Sequence, residues 1–345
     1  MKSVHALHMY SDIRKSGCAR QAAHMTEKDD TPPTDPFECA LLLPSRIKNA
    51  SLLPVAAAFK ESVETVDFLK ITPQALLSHG YAEAASFEFF RKLAKTDDIR
   101  VSPGIHDSTS AFEDWFSQVR CRVESIAATE EAQKEFRKHL WETANRQIAT
   151  LLKDKHVASA LRSLTLARVV LGWTAFECLA IDGWETALNE SAVGLGQPAF
   201  KHVSIESGTD EGITARHVPV GLLAKHGFDL RKKLGTVLRT KFDFTSVAGI
   251  RQAYKAAFGD QDTLARILGD QKLTHLEGAR HLIVHRGGLV DEEFVRRTDS
   301  TFPIGQAIPL DNEEIASLLD AMMTAGCRLL TFVDECLRTS LSNDP

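Results

Sequence analysis

A long apolar segment from Val157 to about Asn189 constrains the fold of this 345-residue chain more than any other feature. Its large side chains recur every three or four residues, which is the period of an α-helix that buries one face. They are Trp173, Phe176, Ala180, Trp184 and Leu188. A stripe of this kind is typical of a protein core and not of a cofactor site. The segment therefore predicts a long core helix and an all-α fold around it.

Helical periodicity extends over most of the remaining chain, and breaks in it divide the chain into three parts. Residues 1–36 end in the helix-breaking cluster DDTPPTDP and are predicted to be a flexible tail. Residues 37–153 are predicted to form a mainly helical N-terminal region, to which the sequence assigns no role. Residues 155–340 are predicted to form a helical bundle.

The predicted bundle has four helices after the long apolar one, at about Leu222–Arg239, Thr245–Leu268, Lys272–His285 and Glu313–Arg338. Asp311 precedes Glu314 by three residues, an arrangement that favours a capped start for the last helix. A Gly-rich stretch between Gly194 and Gly221 fits either a small hairpin or a long loop. Residues 286–310 are predicted to be a loop.

Charge and cysteine spacing argue against several classes of protein. The formal net charge of −5 does not suit a chain that binds polyanions over its whole surface. The six cysteines contain no CxxC pair, which favours a reducing cytosol over structural zinc or disulfides. Cys178, Cys327 and Cys336 lie in apolar helical patterns and are predicted to pack as small hydrophobes. No apolar run approaches the roughly 20 residues that span a bilayer, so we expect a cytoplasmic protein without membrane segment or cofactor.

The stretch from Arg280 to Phe294, RHLIVHRGGLVDEEF, carries the residue types that suit RNA cleavage without a metal. Arginine holds a phosphate with a planar fork of donors, and histidine exchanges a proton near neutral pH. The preceding residues have helical spacing, and Gly287-Gly288 is predicted to end that helix after His285. A cationic, proton-exchanging edge is thus expected where a helix opens into a loop.

The same residues resemble the last motif of HEPN domains, an arginine followed after four to six residues by a histidine, with a polar residue such as His281 after the arginine. The resemblance covers about residues 155–340, where LTLARVVLGWTAFECLAIDGWETALN looks like the long early helix of that family. It implies a helical bundle that often dimerises. In many members this bundle is a metal-independent ribonuclease and a toxin or effector of a toxin–antitoxin or antiviral defence system. One branch of the family has a modifiable tyrosine where this chain has Gly287, so that form of regulation is not expected.

The residues and the resemblance together predict an endoribonuclease that cleaves single-stranded or looped RNA, because unpaired RNA can adopt the in-line geometry of the reaction. His285 is predicted to exchange the proton of the 2′-hydroxyl or the leaving oxygen, and Arg280 to stabilise charge on the phosphate. Five residues advance about 140° around a helix, so these two side chains diverge. A homodimer that shares the site across a two-fold axis is therefore expected.

Other polar side chains are assigned supporting roles. Glu277 is predicted to hold Arg280 by a hydrogen bond, or else to be a surface carboxylate, and His281 to lie beside the site. Glu177 is predicted to pair with Arg280 or another cation, or else to lie at a solvent-exposed rim. Five further cations are predicted to contact the RNA backbone or to be ordinary surface charge: Arg286, Arg296, Arg297, Lys232 and Lys233. His281 and His285 have the spacing of helical zinc ligands but lack the Glu of an HExxH motif, so no metal is expected.

A catalytically silent HEPN bundle is the alternative interpretation. The domain would then act as a dimerisation, nucleotide-binding or partner-binding subunit of a defence complex. In either case the N-terminal region is expected to serve as a sensor, a regulator or a docking surface for an antitoxin or another defence-complex partner.

Overall fold

The computed structural model describes residues 35–95, 108–202 and 232–341, together with residues 221, 224, 227, 229 and 230. These residues form helices and no β-strand, which confirms the predicted all-α fold class. The helices are α1 (Pro36–Arg46), α2 (Leu53–Leu93), α3 (Ser108–Ala127), α4 (Glu130–Leu151), α5 (Lys155–Glu190), α6 (Gln197–His202), α7 (Leu234–Leu238), α8 (Val247–Phe258), α9 (Asp262–Ile267), α10 (Gln271–Arg286), α11 (Glu292–Thr298) and α12 (Asn312–Leu341).

The chain divides into two compact units, and this division differs from the predicted domain boundaries. Among the described residues, 69–163 form the smaller unit, and 35–68 with 164–341 form the larger one. Helix α1 belongs with the C-terminal residues because it packs on α12. Its Ala40 and Leu43 are buried in the same core as Leu330 and Val333 of α12. The sequence indicated a helix at this position but not the helix on which it packs.

The smaller unit contains the second part of α2 together with α3 and α4. Its buried residues include Val119 and Val123 of α3 and Phe136 and Leu140 of α4. The ring of Phe90 in α2 lies 4.9 Å from the ring of Phe136, measured between centroids. This unit therefore has an apolar core of its own.

Helix α5 contributes a large share of the core of the larger unit, from Val169 to Leu188. The five residues predicted to form its apolar stripe are fully buried, which confirms the expectation from their spacing: Trp173, Phe176, Ala180, Trp184 and Leu188. Trp184 Nε1 donates a hydrogen bond of 2.9 Å to the Ala253 carbonyl. Tyr254 Oη donates one of 2.9 Å to the Ala180 carbonyl. These bonds satisfy the polar tips of two buried aromatic residues and fix α5 against α8.

Two predicted elements on either side of the motif helix are divided differently in the structure. The helix predicted over residues 245–268 is two helices, because Gly259 adopts φ 78° and ends α8 before α9 begins. The loop predicted over residues 286–310 contains α11. Asp291 caps this helix by accepting a hydrogen bond of 2.9 Å from the Phe294 N–H. A glycine with positive φ and an aspartate cap thus set element boundaries that apolar periodicity alone does not reveal.

The Gly-rich stretch predicted as a hairpin or a loop is helical where the structure describes it. A π-helical turn over Ala192–Gly196 leads into α6, and residues 203–220 lie outside the described residues. Of the helix predicted over 222–239, the structure describes α7 and the residues next to it. The last helix begins as predicted, with Asp311 Oδ1 accepting hydrogen bonds of 2.9 and 2.8 Å from the Glu313 and Glu314 N–H groups.

Helix α5 and residues Asn312–Thr339 of α12 are long and apolar enough, by length and composition, to cross a membrane. This differs from the expectation that no segment reaches that length. Their most apolar windows have mean hydropathies of 1.6 and 1.3, and 44% and 67% of those windows are buried within the protein. Core helices of soluble proteins share this length and composition.

Candidate functional site

Helix α10 carries the Arg/His motif and has a defined beginning and end. Asp270 caps its first turn by accepting a hydrogen bond of 2.9 Å from the Lys272 N–H. The helix ends at Arg286, as predicted, because Gly287 and Gly288 adopt left-handed conformations with φ 63° and 80°. The Gly288 N–H then donates a hydrogen bond of 2.9 Å to the Leu282 carbonyl, which satisfies an acceptor in the last turn.

The last turns of α10 present a face that is open to solvent and polar except for Val284. His281, Val284 and His285 are exposed, and Arg280 is half-buried. On an ideal helix these four residues cover an arc of about 140°, with Arg280 at one edge and His285 at the other. The rings of His281 and His285 lie 4.8 Å apart, measured between centroids. We call these four residues the α10 end face.

Among the residues that the structure describes, Arg280 has no partner for its guanidinium group. Its Nε is buried without a hydrogen bond, and the group makes no hydrogen bond or ion pair with any residue that the structure describes. Its charge does act on Glu177 of α5. Burial raises the pKa of the Glu177 carboxyl, the positive charge of Arg280 opposes that shift, and the negative charge of Asp243 adds to it. The structure thus brings Glu177 and Arg280 into electrostatic contact without a direct bond between them.

Glu277 has a different role from either of those predicted. It is 5% exposed, so it is not a surface carboxylate. Its Oε2 accepts a hydrogen bond of 2.9 Å from the Val247 N–H, and its Oε1 lies 2.6 Å from Arg297 Nη2. Glu277 therefore joins α10 to α11 and to the start of α8, and it does not hold Arg280. Arg297, predicted to contact RNA, is committed to this buried carboxylate.

An open groove of about 910 Å³ lies beside the end of α10. It is lined by His285, Arg286, Leu289, Val290, Asp291, Glu292, Glu293, Arg296, Ile304 and Gly305. One wall is held by an isolated antiparallel bridge between Leu289 and Ala307. Backbone hydrogen bonds of 2.9 Å from Val290 to Gln306 and 2.8 Å from Gly305 to Val290 support the same wall. Of the two motif residues, His285 lines the groove and Arg280 does not.

The groove has a slightly acidic surface and not a basic one, because three carboxylates line it beside two arginines. Arg286 Nε lies 3.4 Å from Asp291 Oδ2, and Arg296 Nη2 lies 2.7 Å from Glu293 Oε1. Both predicted RNA-contacting arginines in the groove therefore have carboxylate partners within the same loop and helix. The cations Lys232 and Lys233 are exposed in the turn before α7 and do not line the groove.

Three large apolar side chains stand exposed near the α10 end face. Val284 is 49%, Leu289 48% and Ile304 58% exposed. Leu289 and Ile304 line the groove together with His285. Apolar side chains at the edge of a polar cleft are more typical of a contact surface than of a freely solvated one.

Sequence reasoning missed the Glu277–Arg297 pair and the acidic side of the groove. The two paired residues are twenty positions apart, and no local period connects them. The acidic run DEEF after the glycine pair was visible, but its role as the cap of α11 depends on the turn that precedes it. Within the described ranges, no group of three His, Cys, Asp or Glu side chains is placed to hold a metal ion.

Comparisons with protein-family models, with curated proteins and with solved structures find no match to this chain. The HEPN resemblance therefore stays a prediction that rests on the residues quoted above.

Proposed function

We propose that this chain is a metal-independent endoribonuclease whose site is the α10 end face. The observation that carries the proposal is the state of Arg280. Its partly buried guanidinium has an Nε without an acceptor among the described residues, on an exposed helix face that also carries His285. A buried donor without a partner costs about 1–3 kcal/mol, and a phosphate oxygen would satisfy it.

In the proposed reaction, His285 takes the proton of a 2′-hydroxyl while that oxygen attacks the adjacent phosphorus. The P–O5′ bond breaks, and the leaving oxygen takes a proton from a second group. The products are a 2′,3′-cyclic phosphate and a 5′-hydroxyl. Arg280 stabilises the charge on the phosphate oxygens in the transition state. His281 lies next to His285 and is a candidate for the second proton exchange.

Two features support a site shared between two copies of the chain. Arg280 and His285 lie at opposite edges of the α10 end face, so one RNA phosphate does not easily contact both within one chain. Val284, Leu289 and Ile304 give this region an exposed apolar surface. In an isologous contact each patch meets its own copy, and a groove with both arginines and carboxylates can pair with itself in that way.

The arginines of the groove have a secondary role in this proposal. Arg286 and Arg296 are exposed, and exposed ion pairs contribute only about 0–1 kcal/mol. An RNA phosphate can therefore replace Asp291 or Glu293 as their partner at little cost. Lys232 and Lys233 would add phosphate contacts outside the groove, and Glu177 would position Arg280 through its charge.

The family resemblance extends the proposal to a biological role. A ribonuclease of this kind would act as a toxin or effector in a defence or toxin–antitoxin system in the cytoplasm. Its partner would be an antitoxin or another defence subunit that docks on the N-terminal region.

RNA cleavage in the presence of a chelator tests the proposal. Wild-type protein in excess EDTA should produce ends with 2′,3′-cyclic phosphate, and His285→Ala and Arg280→Ala should each lose on the order of 10²–10³ in rate. His156→Ala and Arg266→Ala, which replace exposed residues of the same types that do not line the groove, should cleave like the wild type. Cleavage that needs a divalent ion, or full activity in His285→Ala, would contradict the mechanism.

Two measurements test the shared site: the activity of mixed subunits and the mass of the active species. Arg280→Ala and His285→Ala subunits, mixed after partial unfolding, should regain activity if one residue of each type acts from opposite chains. A fully active monomer would exclude a shared site while leaving the chemistry intact.

The second candidate function is a catalytically silent bundle that binds a partner. The carboxylates Asp291, Glu292 and Glu293 in the groove favour it, because they repel a nucleic-acid backbone. A folded dimer that neither cleaves nor binds RNA in low salt would support this function and exclude the first.

A further inference from the structure

Two thiols of the larger unit lie next to each other where α1 packs on α12. Cys39 belongs to α1 and is partly exposed, whereas Cys327 belongs to α12 and is 3% exposed. A hydrogen-bond interaction between the two thiols lowers the pKa of Cys39 and raises the pKa of Cys327. Cys327 therefore does more than pack as a small hydrophobe, which is the role that the sequence predicted for it.

The surroundings of Cys39 favour its thiolate form. Arg46 Nη1 lies 3.8 Å from the Cys39 sulfur and donates to it, and Arg328 adds a second positive charge from α12. Cys39 also lies in the first turn of α1, where the helix dipole favours an anion. The hydrogen bond with Cys327 lowers the pKa of Cys39 to about 6; burial opposes this shift, and the charges of Arg46 and Arg328 add to it. The same interaction raises the pKa of Cys327.

We propose that Cys39 and Cys327 form a peroxide-oxidised thiol pair, with Cys39 as the nucleophile and Cys327 as the resolving thiol. The Cys39 thiolate attacks one oxygen of hydrogen peroxide; the S–O bond forms, the O–O bond breaks, and hydroxide leaves. Cysteine sulfur is oxidised by two electrons and peroxide is reduced. Cys327 then attacks the sulfenic sulfur, the S–O bond breaks, and the proton of Cys327 leaves with the hydroxide as water.

The partial exposure of Cys39 and the burial of Cys327 suit this order of events. Cys39 is the more exposed of the two residues, so peroxide reaches it first, whereas the buried Cys327 is protected from solution oxidants. Once Cys39 is a neutral sulfenic acid, the negative charge that held the Cys327 proton is gone, so Cys327 can ionise and react. The product ties the first described helix of the chain to the last one. This inference does not depend on ribonuclease activity.

Peptide mapping of the full chain tests the pair. Trypsin should release residues 29–46 and 298–328, each of which contains one cysteine. After treatment with equimolar hydrogen peroxide, the wild type should give these two peptides joined by a disulfide. Cys327→Ser should instead leave a sulfenic acid on Cys39 that dimedone traps, and Cys39→Ser should leave Cys327 reduced. Absence of the joined peptide, or faster oxidation of the exposed Cys121 than of Cys39, would overturn the proposal.

The pH dependence of alkylation separates an activated thiol from one that is merely accessible. The iodoacetamide reaction of Cys39 should have a midpoint near pH 6, and at that pH Cys39 should react roughly tenfold faster than an ordinary exposed thiol. Arg46→Gln should move the midpoint upward, and Arg46→Lys should keep it low. An unchanged midpoint in Arg46→Gln, with the fold verified by circular dichroism, would show that Arg46 does not activate Cys39. A wild-type midpoint above pH 8 would overturn the assignment of Cys39 as the nucleophile.

Discussion

Two neighbouring turns of α10 each contain a charged residue, and the two residues differ in whether they have a bonding partner. In the earlier turn, Glu277 is buried and both of its oxygens are bonded, one to the Val247 N–H and one to Arg297. In the next turn, Arg280 has a buried nitrogen and no bonding partner among the described residues. Each residue has at least one polar atom removed from water, although Glu277 is buried and Arg280 only half-buried, so desolvation alone does not explain the difference. Pairing distinguishes the two residues: the paired charge of Glu277 holds helices together, whereas the charge of Arg280 is available to a ligand.

The largest effect is expected at the paired turn. Glu277→Ala leaves the Val247 N–H and the Arg297 guanidinium without their acceptor, and loss of one partner of a buried ion pair costs about 3–5 kcal/mol. We expect the free energy of unfolding to fall by an amount near the lower end of this range, because the Arg297 side chain is 30% exposed and regains some water. Urea unfolding followed by tryptophan fluorescence measures it. Glu293→Ala, which removes an exposed ion pair with Arg296, should cost less than about 1 kcal/mol. Equal losses of stability in Glu277→Ala and Glu293→Ala would contradict the role of the buried pair in holding the helices together.

A smaller loss is expected where α10 meets α11. A Cβ added at Gly278 would lie 2.9 Å from Phe294 Cδ2 and 3.1 Å from Phe294 Cε2. Gly278→Ala should therefore displace the Phe294 ring and lower stability by about 1–2 kcal/mol. Gly80→Ala is the matched control, because Gly80 is an exposed helical glycine with no atom within 4 Å of such a Cβ. It should raise stability by about 0.5–1 kcal/mol. A stabilising Gly278→Ala would mean that the two helices are not held closely together.

The unpaired turn should tolerate loss of its charge. Arg280→Met keeps the length of the side chain and removes the unsatisfied Nε, so we expect its stability to stay within about 1 kcal/mol of the wild type. Its RNA cleavage should fall as in Arg280→Ala. Arg297→Met, which leaves the buried Glu277 carboxylate without a cation, should be clearly less stable in the same urea measurement. If the two substitutions cost the same, Arg280 is a structural residue and the proposed site loses its main support.

The smallest effect concerns Glu177 and its dependence on pH. Its pKa in the folded protein is raised, mainly by burial, so the folded state binds a proton more readily than the unfolded state does. The wild type therefore loses stability as the pH rises from the ordinary carboxyl range through the raised pKa. Glu177→Gln cannot ionise, so its stability should rise relative to that of the wild type over that pH interval. The difference should be less than about 1 kcal/mol because the group is partly exposed. Unfolding midpoints measured between pH 4 and pH 8 check this, and a constant difference would contradict it.

Much of the fold could be predicted because its signals are local. The apolar stripe of α5, the Asp311 cap of α12 and the glycine stop of α10 each depend on residues within one or two turns of each other. The packing of α1 on α12 could not be predicted, because an apolar face does not indicate which distant helix covers it. Helix α11 was missed because it is short, and its main signal is a capping aspartate inside a polar run.

The contacts of the candidate site also divide into those that the sequence could predict and those that it could not. Helical spacing placed Arg280, His281 and His285 together near the end of one helix, and the structure has them there. The partner of Glu277 could not be chosen from sequence, because Arg280 is close along the helix and Arg297 is close only after α11 folds back. The pairing of groove arginines with Asp291 and Glu293 likewise depends on the conformation of the turn after Gly288.

The bridge between Leu289 and Ala307 has an evolutionary consequence. This wall of the groove keeps its shape through main-chain hydrogen bonds, among them one of 2.8 Å from the Ile308 N–H to the Gly288 carbonyl. The exposed side chains of Leu289 and Ile304 contribute little to that shape. Mutation can therefore replace them without unfolding the loop, so the rim beside His285 can diversify and change what it recognises while the helix behind it stays the same.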